Sequence, residues 1–266
     1  MTMRPNALAV AAIAALAPAA LADISYLGGT YTQNFDGLGN TPSTTTTLIG
    51  RGPHAMNGVI GSTGVDGWYG ANFAGSSANT EVRAQDGSLG SSGGRGVISY
   101  GTSASAERAL GALPTSNQVN SIGAVLVNDS GLTLTSVTIS FIGEQWRRGN
   151  VAAPNTLSFG WALSNSIEFA TSPVAALDFI SPNTQATPTE VALDGNSPLN
   201  QVARGATIDT IVWAPGAALA IRWTINDQSG QDDGLAIDTF TFSATPAPSS
   251  LALLGLGSLV AGRRRR

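Results

Sequence analysis

Between Asp23 and Ala244 no stretch of the chain keeps a helical spacing of apolar residues, while short alternating or β-branched runs recur, each bounded by Gly, Pro, Asn or Asp. That pattern predicts strands over residues 31–35, 97–101, 122–128, 132–146, 156–163, 207–213, 217–225 and 235–242. So many strands must close on themselves or stack in two layers to cover their apolar faces. The fold expected is therefore all-β, a two-sheet antiparallel β-sandwich of jelly-roll type. A chain of 266 residues accommodates one such domain, and its 32 glycines and 11% charged residues favour turns and strands over surface helices.

Asn128-Asp-Ser-Gly131 separates two apolar runs, and its composition supplies the positive φ of a tight turn, so a β-hairpin is expected there. In the long run that follows, Val137, Ile139 and Phe141 share a face that Leu132 and Leu134 do not, which predicts a bulge near Thr135-Ser136. Residues 41–92 show little periodicity and are expected to form long loops around one or two edge strands.

Composition excludes several chemistries. The net charge is −4, there is no lysine, and the arginines are dispersed except at the C-terminus, which argues against nucleic-acid binding. There are 0 cysteines, so thiol catalysis, thiolate metal sites and disulfides are absent. The single histidine, His54, sits beside Pro53 in the loop-rich region and reads as a surface residue. Gly90-Ser-Ser-Gly-Gly94 fits the G-x-S-x-G pattern, but it has no apolar strand before it and no histidine after it.

The two ends read as addresses. Arg4, an apolar run from Ala7 to Leu21 and the small residues Ala20 and Ala22 compose a secretory signal peptide over residues 1–22, forming a signal helix cut after Ala22 on export through the Sec translocon. At the other end, residues 245–266 bring together Pro246-Ala247-Pro248, the apolar run Leu251–Gly262 and Arg263, Arg264, Arg265 and Arg266. The prolines keep the spacer extended, the apolar run can enter a bilayer as a short hydrophobic helix, and the guanidinium cluster cannot cross it. Twelve residues at helical rise reach only about 18 Å of a hydrocarbon core about 30 Å thick, which suits transient inner-membrane anchoring better than a permanent transmembrane helix.

Pro-x-Pro, a short Leu/Gly-rich segment and a terminal arginine cluster resemble the PEP-CTERM sorting signal of bacteria that make exopolysaccharide, with Ala247 where that family usually has glutamate. The resemblance implies an exosortase-like membrane protease as partner and delivery to the cell envelope, cell surface or extracellular matrix. The body, residues 23–244, is similar to uncharacterised jelly-roll-like PEP-CTERM proteins in Glu107-Arg-Ala-Leu-Gly111, Glu144-Gln-Trp-Arg147 and Arg222-Trp223.

Within the body, alternation along Leu235–Phe242 places Asp238 on the face of Ala236, Phe240 and Phe242. A carboxylate facing the core needs a partner, either Arg222 on the neighbouring strand or a calcium ion shared with Asp36 of Asn34-Phe-Asp-Gly37; the third alternative is a slip of register that exposes Asp238. An early Phe-Asp-Gly with a final Ala-Ile-Asp-x-Phe strand resembles jelly-roll carbohydrate-binding and MAM-like modules. That likeness implies first and last strands side by side, with a structural calcium at their seam.

Glu144, Trp146 and Arg147 offer an apolar ring flanked by polar groups, the makings of a polysaccharide site, and Trp68-Tyr69 offers a second. The same charges equally suit a structural strand end, Glu144 and Arg147 pairing with each other or with Glu107 and Arg108. Asp227–Gly234 reads as a solvated acidic turn lacking the ligand spacing of an EF-hand. The function expected is that of a noncatalytic structural or interaction protein of the envelope, with no catalytic residues assigned. A carbohydrate-binding module is the alternative. A polysaccharide hydrolase pairing Glu144 with Asp233 comes third.

Overall fold

The computed structural model describes residues 23–41, 45–150, 152–184 and 189–247. The signal peptide and the tail from Pro248 onward lie outside the described residues. In chain order the strands are β1 (Ile24–Tyr26), β2 (Thr30–Gln33), β3 (Thr45–Leu48), β4 (His54–Ala55), β5 (Trp68–Ala71), β6 (Thr80–Gln85), β7 (Gly96–Tyr100), β8 (Ala109–Leu113) and β9 (Ser121–Asn128). They continue as β10 (Leu134–Arg148), β11 (Thr156–Ala162), β12 (Ser172–Pro173), β13 (Phe179–Ile180), β14 (Val191–Ala192), β15 (Gln201–Ile208), β16 (Ala218–Ile225) and β17 (Gly234–Pro246).

Two sheets result. One runs β12-β11-β16-β9-β5-β4, with β1 added to β9 and β13 to β11; the other runs β14-β10-β17-β8-β7-β6-β3, with β15 added to β10 and β2 to β17. Pairing is antiparallel except for β1 with β9 and β6 with β7. The sheets stack through one apolar core to which both contribute, Trp68, Ile122 and Trp223 from the first and Val137, Phe141 and Phe240 from the second. Edge-to-face rings cross the interface, Trp68 on Phe240 at 5.1 Å and Phe141 on Trp223 at 5.1 Å between centroids. Such pairs add about 0.5–1.5 kcal/mol each beyond the area they bury. Among the described residues no helix is long and apolar enough to cross a membrane.

Several expectations change. The segment 128–131 makes its turn, with Gly131 at φ 76° and the Asn128 side chain accepting the N–H of Ser130 at 3.2 Å, but β9 and β10 belong to different sheets. It is an arch across the sandwich instead of a hairpin. The reason is burial: nearly every residue of β9 is buried, so that strand sits between β5 and β16, while the inner face of β10 packs from the opposite layer. The strand expected at 207–213 lies earlier, at Gln201–Ile208. Residues 41–92 contain β3, β4, β5 and β6, of which β5 is wholly buried and pairs with the central β9. A strand covered on both faces has no alternation to show.

The bulge near Thr135 is present: Leu134 pairs with Pro246 and Ser136 with Thr245, so β10 carries one extra residue. A second bulge lies in β17, where Ile142 pairs with Asp238 but Ser140 with Thr241, and Thr239 adopts φ 48°. This extra residue reverses the facing of everything before it. Phe240 and Phe242 point into the core, as do Leu235 and Ile237, whereas Ala236 joins Ile98, Tyr100 and Trp146 in a separate cluster on the outer face of the second sheet.

Candidate metal centre

The bulge at Thr239 decides where Asp238 goes. Strict alternation would have put it in the core with Phe240; the additional residue turns it to the outer face with Ala236. Arg222 is no partner for it, since that side chain belongs to the first sheet, donates to the carbonyls of Ile167 and Glu168 at 3.1 and 2.7 Å, and lies over the ring of Phe73.

Asp238 instead meets two other carboxylates. Glu144, on the adjacent β10, stands opposite Ala236 on the same face. Glu107 arrives from the loop before β8, which pairs with β17 on its other side. One carboxylate oxygen from each of Glu107, Glu144 and Asp238 lies within 4.8 Å of the other two. Among the described residues no arginine forms an ion pair with any of them.

Their hydrogen bonds come from neutral groups. Trp146 Nε1 and Gln201 Nε2 donate to Glu144 at 2.9 and 3.1 Å, Asn196 Nδ2 donates to Glu107, and Thr239 Oγ1 donates to Asp238 at 3.1 Å. Glu107 Oε1 and Asp238 Oδ1 are buried and accept nothing. Burial first, and then the neighbouring negative charges of Asp238 and Glu107, push the Glu144 carboxyl up to about 8. Burial likewise raises Asp238 to about 6, with Glu107 and Asp36 adding to the rise against the Thr239 hydrogen bonds.

The seam expected between the strand leading into Phe-Asp-Gly and the last strand exists, because β2 pairs with β17 from Gln33 opposite Phe240 to Thr30 opposite Ser243, whereas β1 before it joins β9 of the other sheet. Asp36, just beyond β2, is held by Asn34 Nδ2 at 2.5 Å and by the N–H of Arg108 at 3.3 Å. It stands outside the three-carboxylate group and acts on Asp238 through its charge. Glu107, which the sequence offers only as a possible ion-pair partner, does belong to it, and its membership depends on the register of β8 against β17.

Trp146 does not form an exposed platform. It is 1% exposed, stacks on Tyr100 at 6.0 Å and an interplanar angle of 9°, and packs against Gly195, where an added Cβ would stand 2.2 Å from its Nε1. Arg147 is buried, donates to the Gly87 carbonyl at 2.8 Å and pairs with Glu190 in place of Glu144. Trp68 and Tyr69 are buried in β5, and the Tyr69 hydroxyl donates to Asp23 at 2.7 Å. Asp233 is buried and accepts the N–H of Gly149 at 2.7 Å, while Asp232 accepts from Asn155 and Gln228, so the second half of the acidic turn is folded inward while Asp227, Ser229 and Gly230 stay exposed. His54 shares a 3.0 Å hydrogen bond with the Gly50 carbonyl.

Comparison with known proteins bears chiefly on the C-terminus. Residues 244–266 match the family model of the PEP-CTERM protein-sorting motif, a match that begins inside β17. No curated protein matches the chain. Among solved structures, the K1 cleaved adhesin domain of Lys-gingipain from Porphyromonas gingivalis W83 aligns over 82% of this chain and 99% of its own at 16% identity and a TM-score of 0.31. TmCBM61 in complex with β-1,4-galactotriose aligns over 59% of this chain and 86% of its own at 12% identity and a TM-score of 0.30. Similarity at that level carries no argument about this chain. The tail does: this is a chain bearing a PEP-CTERM sorting motif, which implies a bacterial protein exported for exosortase sorting to the envelope or surface.

Proposed function

We propose that the body is a noncatalytic structural or interaction module of the envelope or extracellular matrix, a β-sandwich of jelly-roll type locked by calcium at Glu107, Glu144 and Asp238. The observation that carries this reading is the convergence of three carboxylates, two of them with a buried oxygen that has no partner and none with a cationic partner among the described residues. Left alone, such a group is costly, because like charges repel and burial penalises each anion. The donor set consists of oxygens, which suits a hard cation of flexible coordination and offers nothing to a transition metal that prefers nitrogen or sulfur. Calcium accepts six to eight oxygens, so water and the amide oxygens of Asn196 and Gln201, brought round by rotation of their side chains, complete the set.

Such an ion would tie together parts of the chain that are far apart in sequence: the loop before β8, the middle of β10, the bulge of β17 and, through Asn196 and Gln201, the segment that crosses over Trp146. Disulfides are unavailable to a chain without cysteine, so ion binding takes over that cross-linking role in an exported protein. Titration calorimetry of chelator-treated protein tests the proposal. Saturable binding of one calcium per chain supports it, and the absence of calcium-dependent heat refutes it.

A further inference from the structure

Strand β17 leaves its sheet at Pro246, opposite Leu134 at the start of β10. The turns around that exit carry Leu27, Leu132 and Val212, which are 75%, 55% and 66% exposed. Hydrogen bonds gather them at one end of the sandwich. The Tyr26 carbonyl accepts the N–H of Asp129, and the Asn128 side-chain amide donates to the carbonyls of both Leu132 and Trp213 at 2.8 Å. Leu134 and Trp213 then exchange backbone hydrogen bonds of 2.9 and 2.8 Å.

Single exposed leucines are ordinary on any surface. What distinguishes these is the length of chain beyond them. Only Ala247, Pro248, Ser249 and Ser250 separate Pro246 from the apolar run that begins at Leu251. Five fully extended steps span about 17 Å at most. With the run from Leu251 seated in a bilayer, the body cannot stand off from the membrane, and the face it turns toward the lipid is the one where β17 ends.

The geometry points to the rim formed by Leu27, Leu132 and Val212 as a bilayer-contact surface, pressed into the interfacial layer while the sorting tail is anchored. This rests on the tail acting as a membrane anchor. The charged residues within three positions of Leu132 and Val212 in sequence are Asp129 and Asp209, which accept from Ser25 Oγ at 2.5 Å and Ser136 Oγ at 2.8 Å. The contact is accordingly apolar, not electrostatic: it forms on zwitterionic lipid and gains nothing from anionic lipid. Tethering makes three side chains sufficient, since the body meets the surface at the high effective concentration set by a short linker.

The absence of cysteine makes single-site labelling unambiguous. The chain from Asp23 to Arg266, the form expected after export, is placed in phosphatidylcholine nanodiscs holding no other membrane protein, with a polarity-sensitive fluorophore at Thr133→Cys, Ser92→Cys or Ser258→Cys. Brominated lipid serves as quencher. Thr133 neighbours the rim, Ser92 lies beyond the opposite end of β17, where Ser91 Oγ accepts the N–H of Asp232, and Ser258 reports the tail.

The expected result is quenching at Ser258→Cys, about twofold quenching at Thr133→Cys and none at Ser92→Cys. Replacing Leu27, Leu132 and Val212 by serine abolishes the quenching at Thr133→Cys and leaves Ser258→Cys unchanged. Because all three side chains are exposed, that variant keeps its fold. Quenching at Ser258→Cys with none at Thr133→Cys overturns the rim contact alone, and is also the outcome if the rim serves only to dock a sorting protease. No quenching at Ser258→Cys overturns the anchor and the rim contact together.

Discussion

Glu144 and Asp238 project from neighbouring antiparallel strands onto the same outer face, their carboxylate oxygens within 4.8 Å of each other and of Glu107. The arrangement is repulsive without a cation and favourable with one, so removing a carboxylate has opposite effects in the two states. Asp238→Asn is expected to stabilise the chelator-treated protein by about 1 kcal/mol through loss of repulsion. The same change abolishes stabilisation by calcium, which at a hundredfold excess over the dissociation constant amounts to about 2.7 kcal/mol in the unsubstituted protein. Urea unfolding with and without calcium measures both, and a loss of stability in both conditions would contradict the metal-centre reading.

The second prediction concerns how the start of the body fastens its end. The Tyr26 hydroxyl donates to the Gly29 carbonyl at 2.8 Å and accepts the N–H of Ala244 at 2.8 Å, two residues before Pro246. Tyr26→Phe leaves that N–H without its acceptor in a region where Tyr26 itself is buried and edge-on to Phe242. The expected cost is about 1–3 kcal/mol of stability. Amide exchange supplies the sharper readout: protection at Ala244 falls while that at Leu235, in the same strand, falls only by the global loss.

The parts of this fold that were legible in the sequence are those whose side chains report their environment locally. Alternation through Val137, Ile139 and Phe141 gave both the strand and, through the displaced leucines, the bulge at Thr135. Asp238 also stood out, as a charge inside an apolar alternation. Its direction did not, because the second bulge depends on Thr239 adopting a left-handed backbone conformation that a β-branched residue rarely takes. Glu107 stood out only as a possible ion-pair partner at the strand end of Glu144 and Arg147, and its place among the carboxylates did not, for a different reason: it meets Glu144 through the β8–β17 register, which is a property of pairing across more than a hundred residues of sequence. Likewise, the Asn128 turn specifies a reversal of direction but not whether the next strand joins the same sheet.

A pH dependence follows from the buried half of the acidic turn. Burial, aided by Asp227, raises the Asp232 carboxyl to about 7 against the hydrogen bonds it accepts from Asn155 and Gln228. Between the ordinary carboxylate range and about pH 7 the native state holds a proton that the unfolded chain has released, so this contribution to stability is complete at low pH and disappears as pH rises through 7. In saturating calcium, the urea midpoint should therefore fall between about pH 5 and about pH 8. Asp232→Asn, which keeps the acceptor oxygen and offers a donor toward Asp227, should flatten that fall. An unchanged slope in the variant would assign the dependence to other groups.

The last prediction tests whether the segment over Trp146 and the carboxylates form one unit. Gly195 has no room for a side chain, since a Cβ there would stand 2.2 Å from Trp146 Nε1. That nitrogen donates to Glu144, and the flanking Asn196 and Gln201 donate to Glu107 and Glu144. Gly195→Ala must therefore lift the segment, displace the indole from Tyr100, or both. A merely local clash would cost about 1–3 kcal/mol of stability and leave calcium affinity untouched. If the segment supplies ligands, as the two amides suggest, calorimetry shows calcium binding weakened about tenfold or more, and Trp146→Phe, which removes the donor to Glu144 without the clash, weakens it less.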